Sequence, residues 1–343
     1  MKIAFIPPKK RSEYLTNTVL DGLLWLKRDG DGPASGIELA LPPEEYLCPY
    51  DLSPYILNEA EFDAFARSAH LIILPFGKNT TNYELAEKIG RWDKTVFVDG
   101  GELGKDRRYD TTIRAQVEEM TYDGFGKIYA DMLSKCALYF RREKPYIKGI
   151  IPLPFGIESR YLVQFDPTKK RNIDFCCIFG QDEYPILRRH ATKVLEKFCK
   201  KNGFICQTKK TKGFTFEDDQ KVAGRDPFYE ILSRSKVGIS IGGGGFDTAR
   251  FWEILGNDCM LLTETIDIYE KDSTALNYKG IIQFKDLVDF EEKLVQVAGF
   301  LKNGYNQTDR SGEYAEIIKM HSSKARAMTV LTEAEKKGII SLN

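Results

Sequence analysis

The chain has 343 residues and no formal net charge, because 50 Lys and Arg balance 50 Asp and Glu. A hydrophobic share of 42% excludes a disordered or collagen-like chain, and the length suggests about two domains. Zero net charge argues against a protein that coats nucleic acid or anionic membrane with its whole surface, but it leaves a local basic site open.

Cysteine usage and the N-terminal residues favour a cytoplasmic protein. The seven cysteines are odd in number, irregularly spaced and without a C-x-x-C pair, which favours reduced thiols. The first apolar run, residues 2–6, ends at Pro7-Pro8 and is too short for the core of a signal peptide. No apolar stretch reaches the roughly 20 residues of a membrane span. The histidines are few and dispersed, so no metal site is expected.

Helices and strands alternate along the first half of the chain. Strands are predicted at residues 2–6, 70–75, 95–98 and 139–140, and helices at 58–68, 83–92 and 115–133. Apolar runs of strand length between amphipathic helices are typical of a parallel sheet with crossover helices. A polar, turn-rich stretch near residues 155–172 then predicts a linker.

The alternation restarts at residue 173. Strands are predicted at residues 173–179, 204–207, 237–241 and 259–263, and helices at 184–201, 226–235, 247–256, 286–303 and 313–335. We therefore expect an α/β chain of two Rossmann-like domains, residues 1–160 and 161–343, with the option that the last helix packs back on the first domain. Ligands of such sheets bind beyond the carboxyl ends of the strands.

A glycine loop between a strand and a helix is the most informative segment. Glycines at residues 242–245 let backbone N–H groups approach an anion, and the start of the following helix adds partial positive charge. Asp247 or Thr248 can cap that helix. Arg250 and Glu253 share one helix face, which fits an arginine on phosphate and a glutamate on ribose. The same spacing also lets the two side chains simply pair with each other.

Three segments, residues 152–157, 246–263 and 321–327, together carry a family resemblance. Arg250-Phe-Trp-Glu253 is similar to the donor-binding Arg-x-x-Glu helix of GT-B glycosyltransferases of the group-1-like and spore-maturation-protein-like families. The other two segments resemble their interdomain segment and their C-terminal helix. A weaker resemblance extends to the phage DNA β-glucosyltransferases, which share the Arg-x-Trp-Glu order. The resemblance implies the GT-B fold, in which two Rossmann-like domains face each other across a cleft.

The resemblance implies an enzyme that moves a sugar from a nucleotide-diphosphate donor to a hydroxyl acceptor, with neither a metal ion nor a cofactor. Asp99, after the strand at residues 95–98, is the candidate general base, and Glu102 is the second choice. A turn or capping role for Asp99 remains the alternative. Arg188 is preferred over the adjacent Arg189 for a donor phosphate. The implied donor-binding residues are Arg188, Arg189, Gly243, Gly244, Gly245, Thr248, Arg250 and Glu253.

The acceptor stays open between a carbohydrate, another hydroxyl compound and a modified base in DNA. Residues 141–213 carry 17 Lys and Arg against 7 Asp and Glu, whereas residues 251–300 carry 4 against 10. The basic stretch suits a diphosphate and leaves a polyanionic acceptor open. A non-catalytic protein that binds nucleotide sugars is a further alternative. A dehydrogenase fits less well, because no G-x-G-x-x-G follows the first strand.

Overall fold

The chain forms two compact units. The computed structural model describes residues 1–10, 12–30, 36–43, 46–76, 82–162, 168–179, 185–208, 227–269, 276–306 and 310–342. Unit 1 comprises Met1–Gly156 and Ser323–Asn343, and unit 2 comprises Ile157–Ser322. The last helix, which the sequence division places in the second domain with an option to pack on the first, thus lies in unit 1. Across the described residues, no helix has the length and apolar character to cross a membrane.

Unit 1 is built on a sheet of six parallel strands in the order β2-β1-β3-β4-β5-β6. The strands are β1 (Lys2–Phe5), β2 (Glu38–Ala40), β3 (Leu71–Phe76), β4 (Thr95–Asp99), β5 (Leu138–Arg141) and β6 (Ile150–Pro152). Strands β3 and β4 are buried at every residue, which explains their unbroken apolar runs.

Helices accompany these strands and complete the core of unit 1. They are α1 (Tyr14–Asp29), α2 (Glu59–Ser68), α3 (Tyr83–Ile89), α4 (Thr111–Glu118), α5 (Ala130–Lys135) and, from the C-terminus, α12 (Ser323–Lys336). Glu13 caps α1 by accepting from the amides of Leu15 and Thr16. Helix α12 packs so closely on α1 that a Cβ at Gly22 would lie 2.1 Å from the carbonyl oxygen of Ser323. Only glycine fits at this contact.

Unit 2 has a second parallel sheet, with the strand order β11-β10-β9-β7-β8. Its strands are β7 (Ile173–Cys176), β8 (Cys206–Gln207), β9 (Ser235–Ser240), β10 (Met260–Glu264) and β11 (Ile281–Phe284). Its helices are α6 (Ser159–Leu162), α7 (Ile186–Asn202), α8 (Pro227–Ser233), α9 (Ala249–Gly256), α10 (Leu287–Asn303) and α11 (Ser311–His321). Both sheets reverse their strand order beside their first strand, at β1/β3 and at β7/β9.

The structure confirms the alternating pattern and corrects three parts of it. The predicted helix at residues 115–133 is wrong: α4 ends at Glu118, Met120 has a positive φ of 56°, and α5 starts only at Ala130. The predicted helix at 313–335 is divided at Ser322, whose extended backbone forms a bridge with Ile157. Helices α1 and α6 and strands β2, β6 and β11 were not predicted. The amphipathic spacing of α1 is visible in the sequence, whereas β2 has only three residues.

Candidate functional site

The carboxyl ends of β7 and β9 form the point where the strand order of unit 2 reverses. In open α/β sheets the crevice at such a point is the usual ligand site. Arg188, in the first turn of α7, donates from Nε and Nη2 to the carbonyl of Ile241 at 3.2 and 2.9 Å. A Cβ at Gly243 would lie 3.0 Å from Nη2 of Arg188. The arginine therefore lies directly on the glycine loop that follows β9.

Packing holds the Arg188 guanidinium in this position. Only 8% of Arg188 is exposed, and its guanidinium carbon lies 4.8 Å from the centre of the Phe179 ring. Arg189, one residue further along α7, is exposed. The structure thus brings Arg188 rather than Arg189 to the glycine loop and fixes a positive charge there.

Internal hydrogen bonds shape the glycine loop. The amide of Gly242 donates to Oε2 of Glu264 at 2.9 Å, and the amide of Gly243 donates to the carbonyl of Gly245 at 3.0 Å. These two amides already have partners inside the protein, so they do not form the anion cradle that the glycine run suggests. Sequence reasoning missed Glu264, although its place at the end of the apolar strand β10 is the signal that could have found it.

The start of α9 differs from the expected capping arrangement. Thr248 occupies the N-cap position, but its side chain makes no capping hydrogen bond. Its Oγ1 lies 3.3 Å from Oγ of Ser240, at the end of β9. Asp247 instead accepts a hydrogen bond of 2.7 Å from the Trp252 indole. Of the two expected caps, Asp247 or Thr248, Thr248 therefore holds the cap position without a side-chain capping hydrogen bond, and its hydroxyl ties α9 to strand β9.

Arg250 and Glu253 form an ion pair on the first turns of α9. Nη1 of Arg250 lies 2.7 Å from Oε2 of Glu253, and the Tyr229 hydroxyl lies 3.1 Å from Oε1 of the same carboxylate. The Arg250 guanidinium carbon lies 3.4 Å from the centre of the Phe228 ring. Of the two arrangements that the spacing allows, the structure therefore shows the one in which Arg250 and Glu253 pair with each other across one helical turn. The sequence did not predict the contacts of Phe228 and Tyr229 with this pair, because the residues of α8 do not indicate which helix they pack against.

Arg250 lies in the first turn of α9, the helix that follows strand β9 and the glycine loop. Burial raises the pKa of the Cys176 thiol, and the charge of Arg250 opposes that rise. Cys176 is the last residue of β7. Arg188 and Arg250 thus lie at the carboxyl ends of the same two strands, each stacked on an aromatic ring and each restrained by packing.

Asp99, the candidate base, is enclosed in unit 1. Its side chain is fully buried, and Oδ1 accepts from the Gly101 amide at 2.8 Å. Oδ2 accepts from Nη1 of Arg141 at 2.6 Å and from the Tyr139 hydroxyl at 2.7 Å. Burial lowers the pKa of the Arg141 guanidinium, but the negative charge of Asp99 raises it, and the pKa stays above its ordinary value. A general base needs an oxygen that can reach a substrate hydroxyl, so these contacts favour a structural role.

Glu102 and a residue that the sequence did not single out, Glu13, lie in the same region. Nη2 of Arg142 lies 2.7 Å from Oε2 of Glu102, and both side chains are buried. A Cβ at Gly100 would lie 2.5 Å from the Glu13 carboxylate. Burial raises the pKa of Glu13. We call Glu13, Asp99, Glu102, Arg141 and Arg142 the buried charge cluster.

The described residues contain no group of three or more His, Cys, Asp and Glu side chains that could hold a metal ion. Neither a protein-family model nor a curated protein sequence matches the chain.

Solved structures that are similar to nearly the whole chain include two glycosyltransferases. A glycosyltransferase from Rickettsia africae ESF-5 is similar with a TM-score of 0.60, at 10% identity over 99% of each chain. An alpha-glucosyltransferase in complex with UDP and a 13-mer DNA containing a HMU base is similar with a TM-score of 0.57, at 11% identity over 97% of this chain and 98% of that chain. These similarities and the two parallel sheets confirm the expected GT-B fold.

Proposed function

We propose that the chain is a glycosyltransferase that takes a sugar from a nucleotide-diphosphate donor and transfers it to a hydroxyl acceptor. The observation that carries the proposal is the fixed guanidinium of Arg188 on the glycine loop, where the strand order of unit 2 reverses. A planar guanidinium suits two phosphate oxygens at once. The start of α9 lies after the same loop and adds partial positive charge. The two solved structures support the proposal, since both are glycosyltransferases and one holds UDP.

Arg250 and Glu253 enter the proposal as a pair that the donor separates. The diphosphate accepts from Arg250, and the ribose hydroxyls donate to Glu253. The Tyr229 hydroxyl keeps its hydrogen bond to Oε1 of Glu253 when Arg250 turns to the diphosphate, because that bond does not involve Arg250. When the bond to the sugar breaks, negative charge develops on the leaving diphosphate, and Arg188 and Arg250 stabilise that charge. The two arginines fill this role without a metal ion.

The matched pair Arg188→Gln and Arg189→Gln tests the donor site. Calorimetric titration with UDP, GDP and ADP identifies the nucleotide that the wild-type protein binds. Loss of charge-assisted hydrogen bonds worth about 1.5–3 kcal/mol predicts that Arg188→Gln binds that nucleotide roughly 10- to 150-fold more weakly. Arg189→Gln, on the exposed neighbour, keeps the wild-type affinity within about twofold.

The same protein preparations then test turnover. Incubation with the matching nucleotide sugars measures donor hydrolysis and transfer to a panel of hydroxyl acceptors. Absence of binding to every nucleotide, or an unchanged affinity of Arg188→Gln, would refute the donor site. Binding without hydrolysis or transfer would favour the non-catalytic alternative.

A modified base in DNA is a second candidate acceptor. The basic stretch at residues 141–213 and the DNA held by the similar alpha-glucosyltransferase favour it. Binding to phosphates releases counterions, so affinity for DNA should fall steeply as salt rises. Retention on a DNA column at low salt that is lost near physiological salt supports this acceptor, and no retention at low salt excludes it.

A further inference from the structure

Unit 1 contains a cavity of about 370 Å³ whose lining is unusually aromatic. Five rings line it: Phe76, Tyr83, Phe97, Tyr122 and Tyr129. Phe76 is the last residue of β3, so the cavity lies toward the carboxyl edge of the unit 1 sheet. The remaining lining comes from residues 120–132, which follow α4 and include the first turn of α5. We call it the aromatic cavity. Its volume lies within the roughly 300–1,000 Å³ of small-molecule sites.

Contacts inside the protein hold the rings in place. The ring centres of Phe76 and Tyr129 are 4.5 Å apart. The amide of Tyr129 donates to the Tyr139 hydroxyl at 3.3 Å, and on another side Nζ of Lys135 lies 2.8 Å from the Tyr83 hydroxyl. The aromatic cavity is therefore formed before a ligand enters, which lowers the entropy cost of binding.

The Arg141–Asp99 pair of the buried charge cluster fixes one wall of the aromatic cavity. Arg141, paired with Asp99, donates to the carbonyl of Gly126 at 2.6 Å and to the carbonyl of Lys127 at 3.4 Å. Gly126 has a positive φ of 86°, and a Cβ there would lie 2.5 Å from the carbonyl oxygen of Glu102. Lys127 itself lines the cavity. Asp99 is thus a positioning residue, because it orders Arg141 and, through it, the segment that closes the cavity.

The rim of the aromatic cavity combines strained and exposed groups. Met120 lines the cavity, is 47% exposed and has a positive φ of 56°, which a methionine rarely adopts. Strained backbone of this kind is found preferentially at ligand sites. The ion pair of Asp123 and Lys127 adds polar groups at the same rim. A ligand here meets apolar ring faces inside and hydrogen-bonding groups at the edge.

We propose that the aromatic cavity binds a planar ring of the hydroxyl acceptor. The inference rests on the proposed function and deepens it by naming the acceptor class. Aromatic side chains offer stacking faces to such a ring, and the charged rim suits a ring edge with donors and acceptors. An aryl alcohol and a hydroxymethylated nucleobase share this chemistry.

A blocking variant tests the aromatic cavity without removing any ring. Ala130 lines the cavity and is exposed at the start of α5, so Ala130→Trp fills the mouth while the fold is kept. Ala64→Trp, at an exposed position of α2 outside the lining, is the matched control. Ligand-observed NMR measures the binding of benzyl alcohol, 5-hydroxymethyluracil and the non-planar cyclohexylmethanol, each without donor. UDP titration of the same samples measures the donor site separately.

We expect the wild-type protein and Ala64→Trp to bind at least one of the two planar alcohols at least fivefold more tightly than cyclohexylmethanol. In Ala130→Trp the indole keeps the ligand from stacking on the rings inside the cavity, so this affinity falls about 5- to 150-fold, the range that one such stack contributes. UDP binding is unchanged. The planar probe that binds distinguishes an aryl from a nucleobase source. Equal binding of cyclohexylmethanol, no binding of either planar alcohol, or unchanged binding in Ala130→Trp overturns the inference. If UDP fails to bind while the rings bind, the proposed function fails instead.

Discussion

The substitution Asp99→Asn separates a structural from a catalytic role for Asp99. Both Asp99 and Arg141 are fully buried, and their closest atoms are 2.6 Å apart. The amide that replaces the carboxylate would keep one acceptor oxygen but remove the negative charge that pairs directly with Arg141. Removal of one partner of a buried pair costs about 3–5 kcal/mol of unfolding free energy. For a unit of this size each kcal/mol lowers Tm by about 2–4 °C, so we expect a drop of roughly 6–20 °C.

Scanning calorimetry of the wild-type protein, Asp99→Asn and a control, Asp93→Asn, measures this drop. The Asp93 carboxylate is 66% exposed in its pair with Arg91, so its loss should cost less than about 1 kcal/mol. Transfer kinetics are then measured well below the lowered Tm. A Tm of Asp99→Asn within about 2 °C of wild type, with kcat reduced 10²- to 10⁴-fold, would refute the structural interpretation and identify Asp99 as the base.

Two further predictions concern unit 1. Gly22→Ala forces a Cβ onto the Ser323 carbonyl, so urea unfolding should show a loss of about 1–3 kcal/mol in the free energy of unfolding. The control Gly299→Ala, whose Cβ has nothing within 4 Å, should gain up to about 1 kcal/mol. Equal effects of the two substitutions would contradict the packing of α1 on α12. Burial raises the pKa of Glu13 above 4.5, so its contribution to stability is complete below about pH 4.5 and is lost as the pH rises through the folded pKa. The stability of Glu13→Gln relative to wild type should therefore rise with pH in urea titrations, and a pH-independent difference would contradict it.

The local parts of the fold could be predicted because they follow from short-range patterns. The apolar runs of β3 and β4 and the capped α2 are visible in consecutive residues, down to the reciprocal capping of Asn58 and Glu61. The helix predicted at residues 115–133 failed because apolar residues continue through it. In the structure, Arg141 binds the carbonyls of Gly126 and Lys127 and holds this segment in a non-helical loop. That contact joins residues 14 and 15 positions apart and leaves no local trace.

In the candidate site too, the sequence predicts positions along the chain but not contacts between distant residues. The sequence predicts that Arg188 follows β7 and that Arg250 and Glu253 follow the glycine loop after β9, because the segments that follow parallel strands lie at the carboxyl edge of an open sheet. It does not predict the partners. Tyr229 lies 24 positions before Glu253, and Arg141 lies 42 positions after Asp99, so only the folded chain brings each pair together. Asp99 was placed correctly at the end of β4, and its burial could not be inferred from that position.

Hydrogen–deuterium exchange with and without UDP tests the central claim most directly, since it locates the bound nucleotide on the chain. The account predicts slower exchange in peptides that cover residues 185–190 and 240–253 of unit 2, where Arg188, the glycine loop and the first turns of α9 lie. The protection should disappear in Arg188→Gln at a UDP concentration that saturates the wild-type protein. Protection confined to unit 1, or none at a saturating concentration of UDP, would contradict a donor site on unit 2.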